Sequence, residues 1–497
     1  MKLRSLMLLI CLLGAVTAAC SQEQTGAKNV ILFIGDGLGA GQMAFGIRYA
    51  RMVEGRELNL EQLMSDGNTG YALANAYGSQ VTDSAAAASQ LATGVEARNE
   101  TLGLNPSGYP TETILEWAEG RGLATGLVTN MRLSHATPAG FAAHQISRYE
   151  PESVILDQML FEHDIDVLLG GGARALVPAG HRVSEFLPGL PAELDGDSRR
   201  LDELDRISEA EERGYTIVSD RDALARASGS ANKLLGLFAA SNLPYVVDTR
   251  AMGLDGVPSL EDSTTAALEV LARADAGFFL MVEGGRIDYG GHDNDAGAML
   301  NEILDFDAAL GAGIAFQRAH PDTLIIVTAD HGTGGFTFTY GDVERPLAPQ
   351  VLPSGLSYNP GQGYPERRHL ELLGNQSASF VYMLEKAAGS PERLIEAVRE
   401  HTGLSMTMEE AREALVRDSG GNAWLEESPH FYTDPDSNPA CLLGRALSRQ
   451  TFVAWSTGGH TSGPVLTFGR GPGAEGLRGI YENTHVHEVM KDALGGM

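Results

Sequence analysis

The stretch Phe278-Phe-Leu-Met-Val282-Glu283-Gly-Gly-Arg-Ile-Asp288-Tyr289-Gly-Gly-His292 decides the fold. An unbroken apolar run of this length, with no polar alternation, predicts a strand buried on both faces, as in parallel sheets. The run delivers Glu283, and Asp288 and His292 follow, separated by glycines that let backbone and ligands approach closely. A carboxylate and an imidazole four residues apart suit Zn²⁺, and a carboxylate at a strand end suits a harder ion such as Mg²⁺.

Three other short apolar runs lead to groups of the same kind. Val30–Ile34 runs into Gly35-Asp36-Gly37, Leu324–Val327 leads to Asp330-His331, and Ala124–Thr129 feeds the loop that carries His135 and Thr137. Further buried strands are predicted at Ile165–Leu169 and Tyr245–Val247. Between residue 29 and about residue 340 such runs alternate with helical stretches, which predicts an α/β fold with a mostly parallel sheet flanked by helices. In open α/β sheets ligands bind beyond the carboxyl ends of the strands. Carboxylates and imidazoles collected at that edge crowd negative charge, which cations make tolerable. The sequence therefore predicts a multi-metal site.

Residues 341–450 change character. Turn formers are scattered through Pro346–Gly363, then helical patterns follow, one opened by Ser390-Pro391-Glu392 and one by the capping box Thr407-Met408-Glu409-Glu410. This segment is expected to be an insertion, a lid or a dimer cap. The strand-like Phe452–Trp455 and Val465–Phe468 return to the core and bracket His460 in Gly458-Gly459-His460-Thr461-Ser462-Gly463. A single histidine is more often a satisfied structural residue than a ligand. Three in glycine-rich turns beside carboxylates, after buried strands, favour metal.

Residues 1–19 read as an export signal, with Lys2 and Arg4 ahead of the apolar Leu6–Val16 and small residues before Cys20. Two processing routes fit: lipidation at Cys20, because Ala19-Cys20-Ser21 looks like a bacterial lipoprotein site although Thr17 replaces the usual Leu, or plain cleavage after Ala19. The other cysteines, Cys11 and Cys441, leave no disulfide framework in the mature chain. The net charge is −29 over 497 residues, and loss of Lys2 and Arg4 makes it more negative. That balance argues against nucleic-acid binding. Stretches such as Glu203–Glu212 read as a solvated face, and a high acidic load also suits a salt-rich medium.

Asp83-Ser84 precedes the alanine-rich Ala85–Ala88, which predicts a helix with Ser84 at its N-terminus, where free N–H groups and the dipole favour an anion. Taken alone, an ordinary Ser/Asp cap is the better explanation, since such caps are strongly preferred. No Gly-x-Ser-x-Gly elbow supports a Ser–His–Asp hydrolase, so activation of Ser84 would fall to a bound metal.

Asp36 in its Gly-Asp-Gly turn, Asp83-Ser84-Ala85, His135-Ala-Thr137-Pro138, Glu283…Asp288…His292, Asp330-His331 and Gly-Gly-His460 occur in the order seen in alkaline phosphatases. The sequence resembles that family from about residue 29 to about residue 490, most weakly across 341–450. The resemblance implies a three-layer α/β/α sandwich made of 29–340 plus 451–497, with 341–450 inserted. It implies phosphomonoester hydrolysis at alkaline pH through a phosphoserine on Ser84, with Arg148 clamping the phosphate. Asp36, Asp330 and His331 resemble one zinc site, and Asp288, His292 and His460 the other. Asp36, Thr137 and Glu283 resemble the Mg²⁺ ligands, giving two Zn²⁺ and one Mg²⁺ per subunit of a homodimer. Asp83, His135 and Tyr289 are expected just outside the ligands. His135 stands where the best-known bacterial form has aspartate, and Tyr289 where it has lysine, which bears on magnesium affinity and phosphate release. A phosphodiesterase or sulfatase of the same fold is the enzyme alternative; the sulfatase motif Cys/Ser-x-Pro-x-Arg is missing, and diesterases more often use threonine. A non-catalytic, metal-loaded surface lipoprotein is the alternative of another class.

Overall fold

The computed structural model describes residues 26–342, 349–417, 422–428 and 430–495. The export signal and Cys20 lie outside the described residues. Within them the chain builds a ten-stranded sheet. In chain order the strands are β1 (Asn29–Gly35), β2 (Asn68–Leu73), β3 (Ala124–Arg132), β4 (Val167–Gly171), β5 (Tyr215–Val218), β6 (Lys233–Leu237), β7 (Phe278–Gly284), β8 (Thr323–Ala329), β9 (Val465–Arg470) and β10 (Gly479–Glu482). Across the sheet they run β10-β2-β9-β8-β1-β7-β3-β4-β6-β5. Only β9 is antiparallel to its neighbours.

The apolar runs are continuous because both faces are covered. Val30, Leu32 and Ile34 of β1 pack into one core while Ile31 and Phe33 pack into the other. Strand β8 divides in the same way, with Leu324 and Ile326 on one side and Ile325 and Val327 on the other. Helices close both faces and make an α/β/α sandwich. Those that bear on function are α1 (Ser84–Thr93), α2 (Ala136–Ala142), α3 (Arg286–His292), α4 (Ala296–Ala319) and α5 (Asn438–Thr451).

Register places the ligand-bearing ends together. Gly35, which precedes Asp36, pairs with both Gly284 of β7 and Ala329 of β8, the residue before Asp330. Thr129 of β3 pairs with Glu283. Four adjacent central strands thus discharge their side chains at one edge.

One predicted strand is corrected. Tyr245–Val247 is the start of a short helix, Val246–Ala251. The Val246 N–H donates to the Glu302 carboxylate at 2.7 Å rather than to a ladder partner, and the Tyr245 hydroxyl donates to Asp293 at 2.7 Å. This apolar run is buried by side-chain anchors on α4 and the turn before it, not by strand neighbours.

The segment from 341 to 450, whose helix Arg367–Gly374 packs Leu370 and Leu373 into the main core, is flanked by Thr337–Phe338 and Val453–Ala454, which pair antiparallel with each other. Between them lie helices with a hydrophobic core of their own, including Met383, Leu394, Val398, Ala411 and Leu443. Ser390 and Thr407 cap helices there, as their sequence patterns predict. No helix among the described residues is long and apolar enough to cross a membrane.

Candidate active site

Helix α1 starts at Ser84, and its cap is Asp83, whose Oδ1 accepts from the Ala86 N–H at 2.9 Å and the Glu100 N–H at 3.0 Å. Because Asp83 takes the capping role, the Ser84 hydroxyl is free for another partner. It lies 3.3 Å from Nε2 of His331, fully buried. The second oxygen of Asp83 accepts from Arg148 Nη1 at 3.0 Å, so the cap also orients a guanidinium beside the serine.

Three sets of side chains converge closely enough to share a cation: Asp36 with Asp330 and His331, Asp288 with His292 and His460, and Asp36 with His135 and Glu283. Thr137 adds a hydroxyl 3.4 Å from Asp36. The first two sets are the groupings that the resemblance implies. The third keeps Asp36 and Glu283 and also draws in His135, which the sequence places outside the ligands. His135 Nε2 faces Arg148 at 3.4 Å, and its Nδ1 is 3.8 Å from Glu283, so the imidazole bridges these two groups. Tyr289 stands against both the His135 and His292 rings.

The hydrogen bonds assign the tautomers of the three remaining histidines. His460 Nδ1 faces the Thr82 carbonyl at 3.0 Å and His292 Nδ1 faces the Gly458 carbonyl at 2.6 Å. A carbonyl only accepts, so both Nδ1 atoms carry hydrogen. Thr333 gives its own hydroxyl hydrogen to Asp288 at 2.5 Å, so it accepts from His331 Nδ1 at 3.3 Å. All three rings therefore present bare Nε2 lone pairs when neutral. His292 Nε2 and His460 Nε2 are 3.1 Å apart, each within 4 Å of an Asp288 oxygen. Two lone pairs face each other at that distance only with a cation or proton between them.

Charge tells the same story. Burial, then Asp330 and Asp288, holds the Asp36 carboxyl well above its ordinary range. Burial and Asp288 push Asp330 up to about 7. Burial drives His331 down, and takes His135 down to about 4. Burial also opposes charge on His292, but Asp288 overcomes it and lifts the ring to about 9. Asp36 Oδ1, Glu283 Oε1 and Asp330 Oδ2 are buried with no hydrogen-bond partner. Unmatched acceptors of this number are what bound cations satisfy, so the donor set fits a multi-metal centre.

Three site residues escaped the sequence reading. Thr129 donates to Glu283 at 2.5 Å, Asn130 accepts from the Gly285 N–H at 2.8 Å, and Thr333 links the Asp288 and His331 groups. Thr129 stands at the end of a predicted strand and Thr333 two residues past His331, which is the only signal either carries.

Fold and site define a class: α/β enzymes that gather candidate metal ligands beyond the carboxyl edge of a mostly parallel sheet. Within that class the chain belongs to the alkaline phosphatase family, whose model matches residues 27–354. It is 29% identical to alkaline phosphatase 3 of Bacillus subtilis (strain 168), covering 97% of this chain and 93% of the relative. It is 33% identical to the alkaline phosphatase of Escherichia coli (strain K12), covering 64% of this chain and 74% of that one. The crystal structure of Thermus thermophilus alkaline phosphatase superposes with a TM-score of 0.78 at 32% identity, covering 95% of this chain and 92% of that one.

Proposed function

We propose that this protein hydrolyses phosphate monoesters at alkaline pH, with Ser84 as the nucleophile. The single observation that carries the reading is the Ser84 hydroxyl, released from capping by Asp83 and placed against His331. Asp36, Asp330 and His331 would hold one Zn²⁺, Asp288, His292 and His460 a second, and Asp36, Thr137 and Glu283, with His135 beside them, an Mg²⁺. Bound there, the cations would lower the pKa of hydroxyl groups and offset charge on phosphoryl oxygens.

The chain's own residues do the rest. Arg148, fixed by Asp83, offers a planar fork that matches two phosphate oxygens. The N-terminus of α1 faces the same phosphate with its dipole. Ser84 Oγ gives up its proton and bonds to phosphorus as the bond to the leaving oxygen breaks, and that oxygen takes up a proton from solvent and departs as the alcohol. Water then attacks the phosphoserine, releasing inorganic phosphate and restoring the hydroxyl. Asp83, at the cap of α1, holds Arg148 beside Ser84, and this positioning supplies much of the rate.

The same reading makes the protein exported, periplasmic or lipid-anchored through Cys20, and a homodimer. The leader sequence and the inserted segment support it. The experiment is hydrolysis of a chromogenic phosphomonoester against diester and sulfate analogues, with and without Zn²⁺. Zinc-dependent preference for the monoester is expected. A preference for the diester or sulfate would replace this activity with another of the same fold, and no hydrolysis of any would favour a binding protein.

A further inference from the structure

The segment 341–450 touches one of the three ligand sets from behind. Cys441, buried on α5, donates its thiol to the His292 carbonyl at 3.0 Å. The Phe431 carbonyl accepts from the Gly458 N–H at 2.8 Å and from the Thr457 hydroxyl at 2.9 Å. Gly458 is the residue whose own carbonyl receives His292 Nδ1–H. On the same face, a Cβ at Gly458 would lie 3.2 Å from the Tyr432 ring and 3.5 Å from the Cys441 sulfur. Helix α5 comes so close that a Cβ at Gly444 would sit 2.5 Å from the Asn294 carbonyl. Asn294 in turn donates to the carbonyls of Gly291 and Thr457, tying the end of α3 to the 457–460 turn.

The other ligands take their fixings from the core. Asp330 accepts from the Gly37 N–H, Glu283 from Thr129, and His331 is held by Thr333. They are also sealed, whereas the side chains of His292 and His460 remain 29% and 14% exposed. The Asp288–His292–His460 set is thus the open one, and its two imidazoles sit on separate chain segments that the Asn294 side chain and backbone contacts tie together, with Thr333 behind Asp288 and Thr82 behind His460. Ligand orientation is governed by the partners behind the ligands, and losing one such partner typically weakens metal binding ten- to a hundred-fold.

We propose that the inserted segment is a brace for the Asp288–His292–His460 set. Cys441 and the Phe431–Tyr432 turn act as positioning residues that set the cation affinity of this set and leave the other two alone. This rests on the reading of that set as a metal site. A segment that merely folds alongside the core would lower overall stability without singling out one cation.

The test is Zn²⁺ titration of metal-stripped Cys441→Ala and of Thr457→Val, which removes the hydroxyl bonded to Phe431 from the core side. Chelator competition gives the affinity of each class of site. Anomalous scattering from crystals grown at limiting Zn²⁺ shows which set has lost its ion. About a ten-fold or greater weakening confined to Asp288–His292–His460 is expected in both variants, with partial recovery in Cys441→Ser, which keeps a donor. Equal weakening at every set, or none at any, would overturn the brace. A wild-type protein that binds no Zn²⁺ at this set would instead remove the metal reading beneath it.

Discussion

Replacing Thr129 by valine separates the support of a ligand from the ligand itself. Valine keeps the shape of threonine and the β-branched preference for a strand, so the change removes a hydroxyl and little else. That hydroxyl donates to Glu283 Oε2 at 2.5 Å and accepts from the Met131 N–H at 2.8 Å, all in the buried interior. Losing a hydrogen bond to a charged group costs about 1.5–3 kcal/mol, and stranding the Met131 donor adds about 1–3 kcal/mol. A destabilisation of about 2.5–6 kcal/mol is therefore expected, seen as a lower urea midpoint with an unchanged slope. Glu283 would also lose its fixed orientation, so Mg²⁺ affinity should fall about ten-fold or more. Thermal or urea unfolding of the metal-free protein reads the first effect, and Mg²⁺ titration of the zinc-loaded protein reads the second. A variant with wild-type stability and wild-type Mg²⁺ affinity would refute the claim that Thr129 holds Glu283 in place.

Stripping the cations is expected to abolish hydrolysis and lower the melting temperature together, because Asp36, Glu283, Asp288 and Asp330 share one buried edge; an unchanged melting temperature would confine the cations to catalysis. Burial, then Asp305, raises the Glu302 carboxyl from 4.5 to about 8. The folded state keeps a proton that the unfolded chain releases, so stability should decline as pH rises from about 4.5 to about 8, by on the order of 4–5 kcal/mol. Glu302→Gln should flatten the melting temperature across that window, and parallel curves for the two proteins would reject this account. Screening shortens from about 10 Å at 0.1 M salt to about 3 Å at 1 M, so a chain of charge −29 should hold or gain thermal stability toward molar NaCl. A monotonic fall in both stability and activity would rule that out.

What the sequence disclosed followed from burial. Strands β1, β3, β7 and β8 are visible as apolar runs because both faces are covered, and the residues after them stand out because charge there needs a reason. Tyr245–Val247 carried the same short apolar signal and is a helix start, since its anchors, Glu302 and Asp293, lie far along the chain. Half-exposed strands such as β2 and β10 lack a continuous run and were not visible. The hold of Asp83 on Arg148, the bridging by Thr333 and the contact of Cys441 with His292 are tertiary facts, with no periodicity to announce them. His135 was legible as a chemical group but not as a neighbour of Arg148, because 13 residues of loop and helix separate the two.

The most direct test is to find where phosphate becomes covalently attached. Enzyme loaded with Zn²⁺ and Mg²⁺, given a phosphomonoester and quenched at acidic pH, should yield one phosphorylated peptide carrying the group on Ser84. Ser84→Ala, folded and with the same metal content, should yield none and lose most turnover. Phosphate on a different residue, or full activity in Ser84→Ala, would contradict the account.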